Sequence, residues 1–315
     1  MKRLFLKAAG AAAAGALLKA CGGGGGSGGG GGTPSGNQTL LQLLQQDARF
    51  SSLLSAVQRA GLTDQFAQAG ASQTLFAPTN EAFAALNSKV GSLSDAQLTS
   101  ILRFHVTPQF LSAAAINSLG ASNGTAATLY DFRGDAAVLI FVRENSQLNI
   151  WDGIGRTSIT LGETDIAASN GVLHVVNDVL LPRGVLTVSG ILSASIDSFS
   201  NYRAAMSAAD VTLLDGAGPF TVFVPSNDSP GTINVRRHVL SVQIGSDAFP
   251  TTTTQYTTRS GATSRLTKGT TPPQVVNQKT VLGTLTDSTA TAAIVTDVDF
   301  YGTNGVVHVI DKVLV

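Results

Sequence analysis

The segment Asn170-Gly171-Val172-Leu173-His174-Val175-Val176 returns 134 residues later as Asn304-Gly305-Val306-Val307-His308-Val309-Ile310. A second echo precedes each copy, Thr74-Leu75-Phe76-Ala77-Pro78-Thr79-Asn80 against Thr221-Val222-Phe223-Val224-Pro225-Ser226-Asn227. Two echoes in the same order require a tandem array of one fold. The 315 residues, less a leader and a linker, leave roughly 140 per unit, enough to bury a core.

The first 21 residues read as an export signal rather than as a piece of fold. Lys2-Arg3 form a positive start, Ala8 to Leu18 a short apolar run, and Leu18-Lys19-Ala20-Cys21 a cleavage site ending in the single cysteine. The apolar run is too short to span a bilayer. Leu18, Ala20 and Cys21 resemble a bacterial lipobox, with Lys19 departing from the usual small or apolar residue, so the expected lipidation site is Cys21. Lys2-Arg3-Leu4-Phe5-Leu6-Lys7 is also similar to a twin-arginine signal, and both export routes stay open. Residues 22–36 are nearly all glycine and read as a flexible tether. Gly22 after Cys21 favours the outer membrane by resemblance to enterobacterial sorting, so the expected location is the cell envelope, held by the lipid alone.

Acids and bases balance at 20 each, and removing the four leader cations leaves a net charge near minus four. No basic face is available to neutralise phosphates, which excludes nucleic acid as a partner class.

Between residues 37 and 182, Leu40, Leu41, Leu44, Phe50, Leu53, Leu54, Val57, Leu62 and Phe66 recur at helical spacing. Leu75 to Pro78 reads as a short strand, followed by a helix with Asn80 as N-cap and Phe83 and Leu86 on its buried face. Ser94-Asp95 opens another helix that ends near His105. After Pro108 the pattern becomes β, with strands at 138–142, 148–151, 158–161 and 172–181. Helices first and strands later give an α+β class. Asn170-Gly171 reads as a tight turn with positive φ, setting the register of the last strand. On that strand Val172, His174 and Val176 share one face, with Leu173 and Val175 on the other.

The order Thr-Leu-Phe-Ala-Pro-Thr-Asn-Glu-Ala-Phe (74 to 83), Leu102-Arg103-Phe104-His105-Val106, then residues 170 to 182, resembles the fasciclin domain. Residues 186–315 resemble a second copy, through residues 220 to 228, Arg237-His238-Val239-Leu240 and residues 304 to 314. That copy is shorter: Asn80 to His105 is 25 residues, Asn227 to His238 only 11, with Pro230-Gly231 where a helix should begin. The resemblance implies two wedge-shaped domains, each a small β-sandwich beside helices, acting non-enzymatically in cell adhesion or matrix attachment. The implied partner is a protein or glycan surface ligand.

All four histidines, at 105, 174, 238 and 308, fall within the repeated blocks. A symmetric pair per unit hints at metal ligands. A site needs a third ligand, however, and Asp178 aligns with Lys312, so the expectation is partly buried rings that hold backbone groups, with no metal and no cofactor. The only thiol is at the lipid site and no Gly-x-Ser-x-Gly elbow occurs, so no catalytic residue is assigned. Asp297 and Asp299 are expected on one solvated strand face. Arg133-Gly134-Asp135 matches an adhesive tripeptide at an expected hairpin tip, where Gly-Asp is also plain turn chemistry. Residues 246 to 273 are threonine-rich and fit either a hairpin or a loop. The alternative function is a periplasmic carrier or sensor with a small apolar or lipid ligand in a closed cavity.

Overall fold

The computed structural model describes residues 36–315, apart from 69, 71, 145–146, 155–158, 161, 271–274, 277–278 and 288–291. The export signal, Cys21 and the glycine tether up to residue 35 lie outside the described residues.

Thr39 opens the first helix with a capping box: its hydroxyl accepts the amide of Gln42, whose side chain returns to the Thr39 amide. Helix α1 (Leu40–Gln46) is followed by α2 (Ser51–Arg59) and α3 (Thr63–Ala67), which bury Leu40, Leu44, Leu53, Val57 and Phe66 on one side. Strand β1 (Gln73–Pro78) leads into α4 (Asn80–Val90) and α5 (Asp95–Phe104). Thr79, not Asn80, caps α4, accepting from the Ala82 amide. Asn80 already lies inside the helix, so its amide group is available to bond elsewhere.

Strand β2 (Val106–Thr107) is followed by a helix that the sequence pattern does not announce, α6 (Ala113–Ala121). Ser112 caps it, and only Ile116 and Gly120 are buried, so a three-alanine start carries no apolar stripe to read. Strands β3 (Thr125–Phe132), β4 (Asp135–Glu144), β5 (Gln147–Trp151) and β6 (Ile159–Thr160) form one antiparallel sheet. Strands β7 (Ile166–Ala168) and β8 (Gly171–Val176) join the first pair in a second sheet, order β2-β1-β8-β7.

The second unit begins with α7 (Val188–Ala194), α8 (Ile196–Ala205) and α9 (Ala208–Asp215). Strand β9 (Phe220–Pro225) then runs by a turn and a 3₁₀ segment, Val235–His238, to β10 (Val239–Leu240). No α-helix occupies the place of α4 and α5, in agreement with the shortened spacing. The threonine-rich segment is a hairpin, β11 (Thr254–Thr257) with β12 (Thr263–Lys268). The short ladder β13 (Val275–Val276) and β14 (Lys279–Thr280) precedes β15 (Gly283–Thr286), β16 (Ala293–Tyr301) and β17 (Gly305–Ile310). The large sheet, order β10-β9-β17-β16-β15-β12-β11, nearly closes on itself through a bridge between Leu240 and Thr258.

Both units are built on the same buried parallel pair. β1 runs beside β8 from Gln73–Gly171 to Pro78–Val176, and β9 beside β17 from Phe220–Gly305 to Pro225–Ile310. Leu75, Ala77, Leu173 and Val175 face the helices, while Phe76 and Val176 face the β3–β6 sheet. Every residue of the two strands is buried, as a parallel pair covered on both faces requires. The helical layers of both units share one apolar core, with α4 packed on α7.

Glycine at the head of β8 is required by close approach. A Cβ on Gly171 would lie 2.2 Å from the Gln73 carbonyl oxygen, and one on Gly305 2.6 Å from that of Phe220. Neither Asn170 nor Asn304 takes the positive φ expected of a tight turn. Gly305→Ala should therefore lower stability by about 1–3 kcal/mol through backbone overlap in a filled core. Urea unfolding reads this directly, and an unchanged midpoint would refute the close-approach reading.

Candidate functional site

Helix α5 ends on His105, whose ring folds back so that Nδ1–H donates to the Ile101 carbonyl at 2.7 Å. Nε2 then accepts the Leu180 amide at 2.9 Å, beyond the end of β8. In the second unit the helix is gone, yet one 3₁₀ turn reproduces the geometry. His238 Nδ1 donates to the Asn234 carbonyl at 2.9 Å and Nε2 accepts the Leu314 amide at 3.0 Å.

The strand histidines use the opposite tautomer. His174 Nε2 donates to the Leu111 carbonyl at 2.7 Å and Nδ1 accepts the Asp165 amide at 3.2 Å. His308 does the same with Ile244 at 2.8 Å and Asp299 at 3.2 Å. An amide can only donate and a carbonyl only accept, so the partners fix each ring as neutral and set its tautomer. All four rings are fully buried rather than partly buried.

Asp165 and Asp299 each take a positive φ, 58° and 68°. Their carboxylates accept the Ala113 amide and the Ser246 amide at 2.8 Å, and Asp299 also accepts the Ser246 hydroxyl. Asp299 thus sits at a bulge within β16 and serves backbone, and Asp297 is buried, which corrects the solvated face expected for the pair. Thr74 and Thr221 complete the set, each donating its hydroxyl to one loop carbonyl and accepting the amide of Leu111 or Ile244. Sequence reading missed Asp165 and Asp299 as partners. The signal was there, since each stands nine residues before a strand histidine.

Asn170 and Asn304 clamp the helices to the central strands. Asn170 Oδ1 accepts the Leu40 amide at the start of α1, and Nδ2 donates to Phe66 and Gln68 at the end of α3. Asn304 repeats this with Val188, Leu214 and Gly216. Asn80 holds the start of α2, accepting the Ser52 amide and donating to the Ala48 carbonyl. Asn227 accepts the Asn201 amide within α8.

Arg133 and Gly134 form the two-residue tip between β3 and β4, with φ 58° and 91° and Phe132 paired to Asp135. Asp135 is exposed. The Arg133 guanidinium lies 4.2 Å from the Tyr301 ring centroid and 5.1 Å from that of Phe132, so it packs on the second unit. Burial, with Asp299 and Asp247 nearby, pushes the Tyr301 hydroxyl up to about 12.

Two clefts occur. One, about 390 Å³, lies between α1 and the β7–β8 edge, beside Phe50, Ile166 and Leu173. The other, about 320 Å³, lies between the units. Neither is closed, and the space between helices and strands is filled by fully buried Leu40, Leu53, Leu75 and Leu173. Among the described residues no three His, Cys, Asp or Glu side chains are placed to hold a metal ion. No described helix is long and apolar enough to cross a membrane.

These features define a tandem scaffold whose buried histidines, with Thr74, Thr221, Asn170 and Asn304, are committed to backbone groups. The fasciclin domain model matches residues 48–182 and again 197–315, and the chain belongs to that family. It is 36% identical over 149 residues to pig transforming growth factor-beta-induced protein ig-h3, a match covering 46% of this chain and 19% of that protein. Identity is 34% over 149 residues with protein sll1483 of Synechocystis, covering 46% and 73%, and 30% over 148 residues with human periostin, covering 46% and 16%. The chain thus spans about a fifth of the ig-h3 proteins it matches. A solved FAS1 domain pair from the insect cell adhesion molecule fasciclin I is 20% identical, covering 85% of this chain and 97% of that one, with a TM-score of 0.42. Fasciclin domains occur in cell adhesion and extracellular matrix proteins.

Burial dominates the shift at His174, His238 and His308, lowering all three, and His238 falls to about 4. A lowered histidine leaves the unfolded chain binding more protons, so stability is full above about pH 6.5 and falls as pH drops towards 4. The His238 ring should cost about 1.4 kcal/mol per pH unit in that window, with His174 and His308 acting in the same direction. Urea midpoints at pH 7.5, 6 and 5 check it, and a flat profile contradicts it.

Proposed function

We propose that this chain is a non-enzymatic adhesion protein of the cell envelope, lipid-anchored at Cys21, that displays two fasciclin domains on a glycine stalk. The carrying observation is the duplication itself: two copies of one fold, each on the same parallel strand pair, joined by a shared apolar core. A paired display at fixed spacing raises the local concentration of a second contact after the first. The four imidazoles support a binding role, because each uses both nitrogens on backbone groups. Both clefts described above are open, whereas a carrier of apolar ligands needs an enclosed cavity. The partner on this reading is a protein or glycan surface ligand.

Cells carrying Cys21→Ser should lose the protein from the envelope fraction, and with it attachment to matrix or neighbouring cells. Attachment that persists at wild-type level after this loss would reject the anchored-adhesin reading.

A further inference from the structure

The cleft between the units is lined from both sides. Lys89 in the last turn of α4 and Ser92 after it come from the first unit, and Ser193, Arg203 and Asp215 from the second. The floor is fixed: Gln97 donates its side-chain amide to the Val185 carbonyl and accepts the Ser94 amide, tying α5 to the connection between units.

The cations of this cleft have no acidic partner among the described residues. Among the described residues neither Lys89 nor Arg203 forms an ion pair. Arg203 Nε donates to the buried Ser193 hydroxyl at 3.2 Å, which holds the guanidinium plane in place. Asp215 accepts the Thr187 hydroxyl with Oδ1 at 2.7 Å. A helix C-terminus accounts for one cation on each of α4 and α8. It does not account for both cations lining, from opposite sides of a domain junction, one space that also holds hydroxyls and a carboxylate.

That donor set discriminates between ligands. A compact dianion such as phosphate is attracted by the cations but repelled by Asp215, and a neutral sugar leaves the cations unused. A molecule with one carboxylate and several hydroxyls satisfies both: the carboxylate meets Lys89 and the Arg203 fork, and the hydroxyls donate to Asp215 and exchange bonds with Ser92 and Ser193. The volume sits at the low end of ligand sites, which run from roughly 300 to 1,000 Å³, and admits one or two sugar rings.

We propose that the cleft between the two units binds a carboxylate-bearing sugar, a uronate residue of an acidic polysaccharide. The inference rests on the adhesive reading and gives it a partner class.

The test is calorimetric titration of the full chain with trigalacturonate, with maltotriose and inorganic phosphate as parallel arms. Trigalacturonate should bind, and weaken as salt rises to about 0.5 M. Maltotriose and phosphate should give no saturable heat. Lys89→Gln together with Arg203→Gln should weaken trigalacturonate binding by about tenfold or more. Lys89→Gln alone, at a partly exposed position, should give a smaller loss in a protein whose circular dichroism is unchanged. Absence of trigalacturonate binding, equal affinity in the variants, or phosphate binding as tightly would each overturn the proposal. Wild-type cell attachment by a double variant that no longer binds the sugar would overturn the assignment of this sugar as the adhesive partner and leave the adhesive reading standing.

Discussion

A parallel strand pair buried on both faces leaves the chain entering and leaving it with amides and carbonyls that no ladder can reach, and unpaired buried groups of this kind are costly. In each unit two imidazoles meet that demand. The ring is suited because, when neutral, it donates at one nitrogen and accepts at the other, and so ties two separate backbone segments at once. His105 and His238 join the end of the helical segment to the chain beyond the last strand. His174 and His308 join that strand to the loop after the second strand and to the amide of a positive-φ aspartate. Thr74 and Thr221, Asn170 and Asn304 extend the same scheme to the loops and the helices.

The second unit shows how far this arrangement tolerates change. It lacks the counterparts of α4 and α5, and its sheet grows to seven strands, yet the bonds of His238 and His308 are kept. What the shortened segment retains is the carbonyl four residues before the histidine, which a single 3₁₀ turn can present. At the junction α7 packs against α4 of the first unit in a continuous core. Arg133 adds a contact at the other side of the junction, where its guanidinium lies over Tyr301.

Much of this was legible in the residues. The echoed blocks gave the duplication, the alternation of Val172 to Val176 gave the two buried faces of β8, and the 25 against 11 residue spacing gave the lost helices. Helix α6 was hidden because its alanines carry almost no apolar stripe. The cap moved from Asn80 to Thr79 because both residue types can cap, and only the third dimension shows that Asn80 reaches Ala48 and Ser52. The role of glycine at 171 and 305 depends on a strand about a hundred residues away in sequence, which no local turn rule can see. Asp299 was read as a surface acid and Asp165 was passed over, although each stands nine residues before a strand histidine, since a carboxylate serving backbone amides has no distinctive local sequence mark. The packing of Arg133 on the second unit lies wholly outside local pattern.

The central claim is that these four buried rings are neutral and locked in two complementary tautomers. Nitrogen-15 NMR of the imidazoles at neutral pH tests it most directly. The account predicts protonated Nδ1 at His105 and His238, protonated Nε2 at His174 and His308, and no titration of His238 until pH approaches about 4. Rapidly exchanging tautomers, or a His238 that titrates near 6.5 in the folded protein, would contradict it.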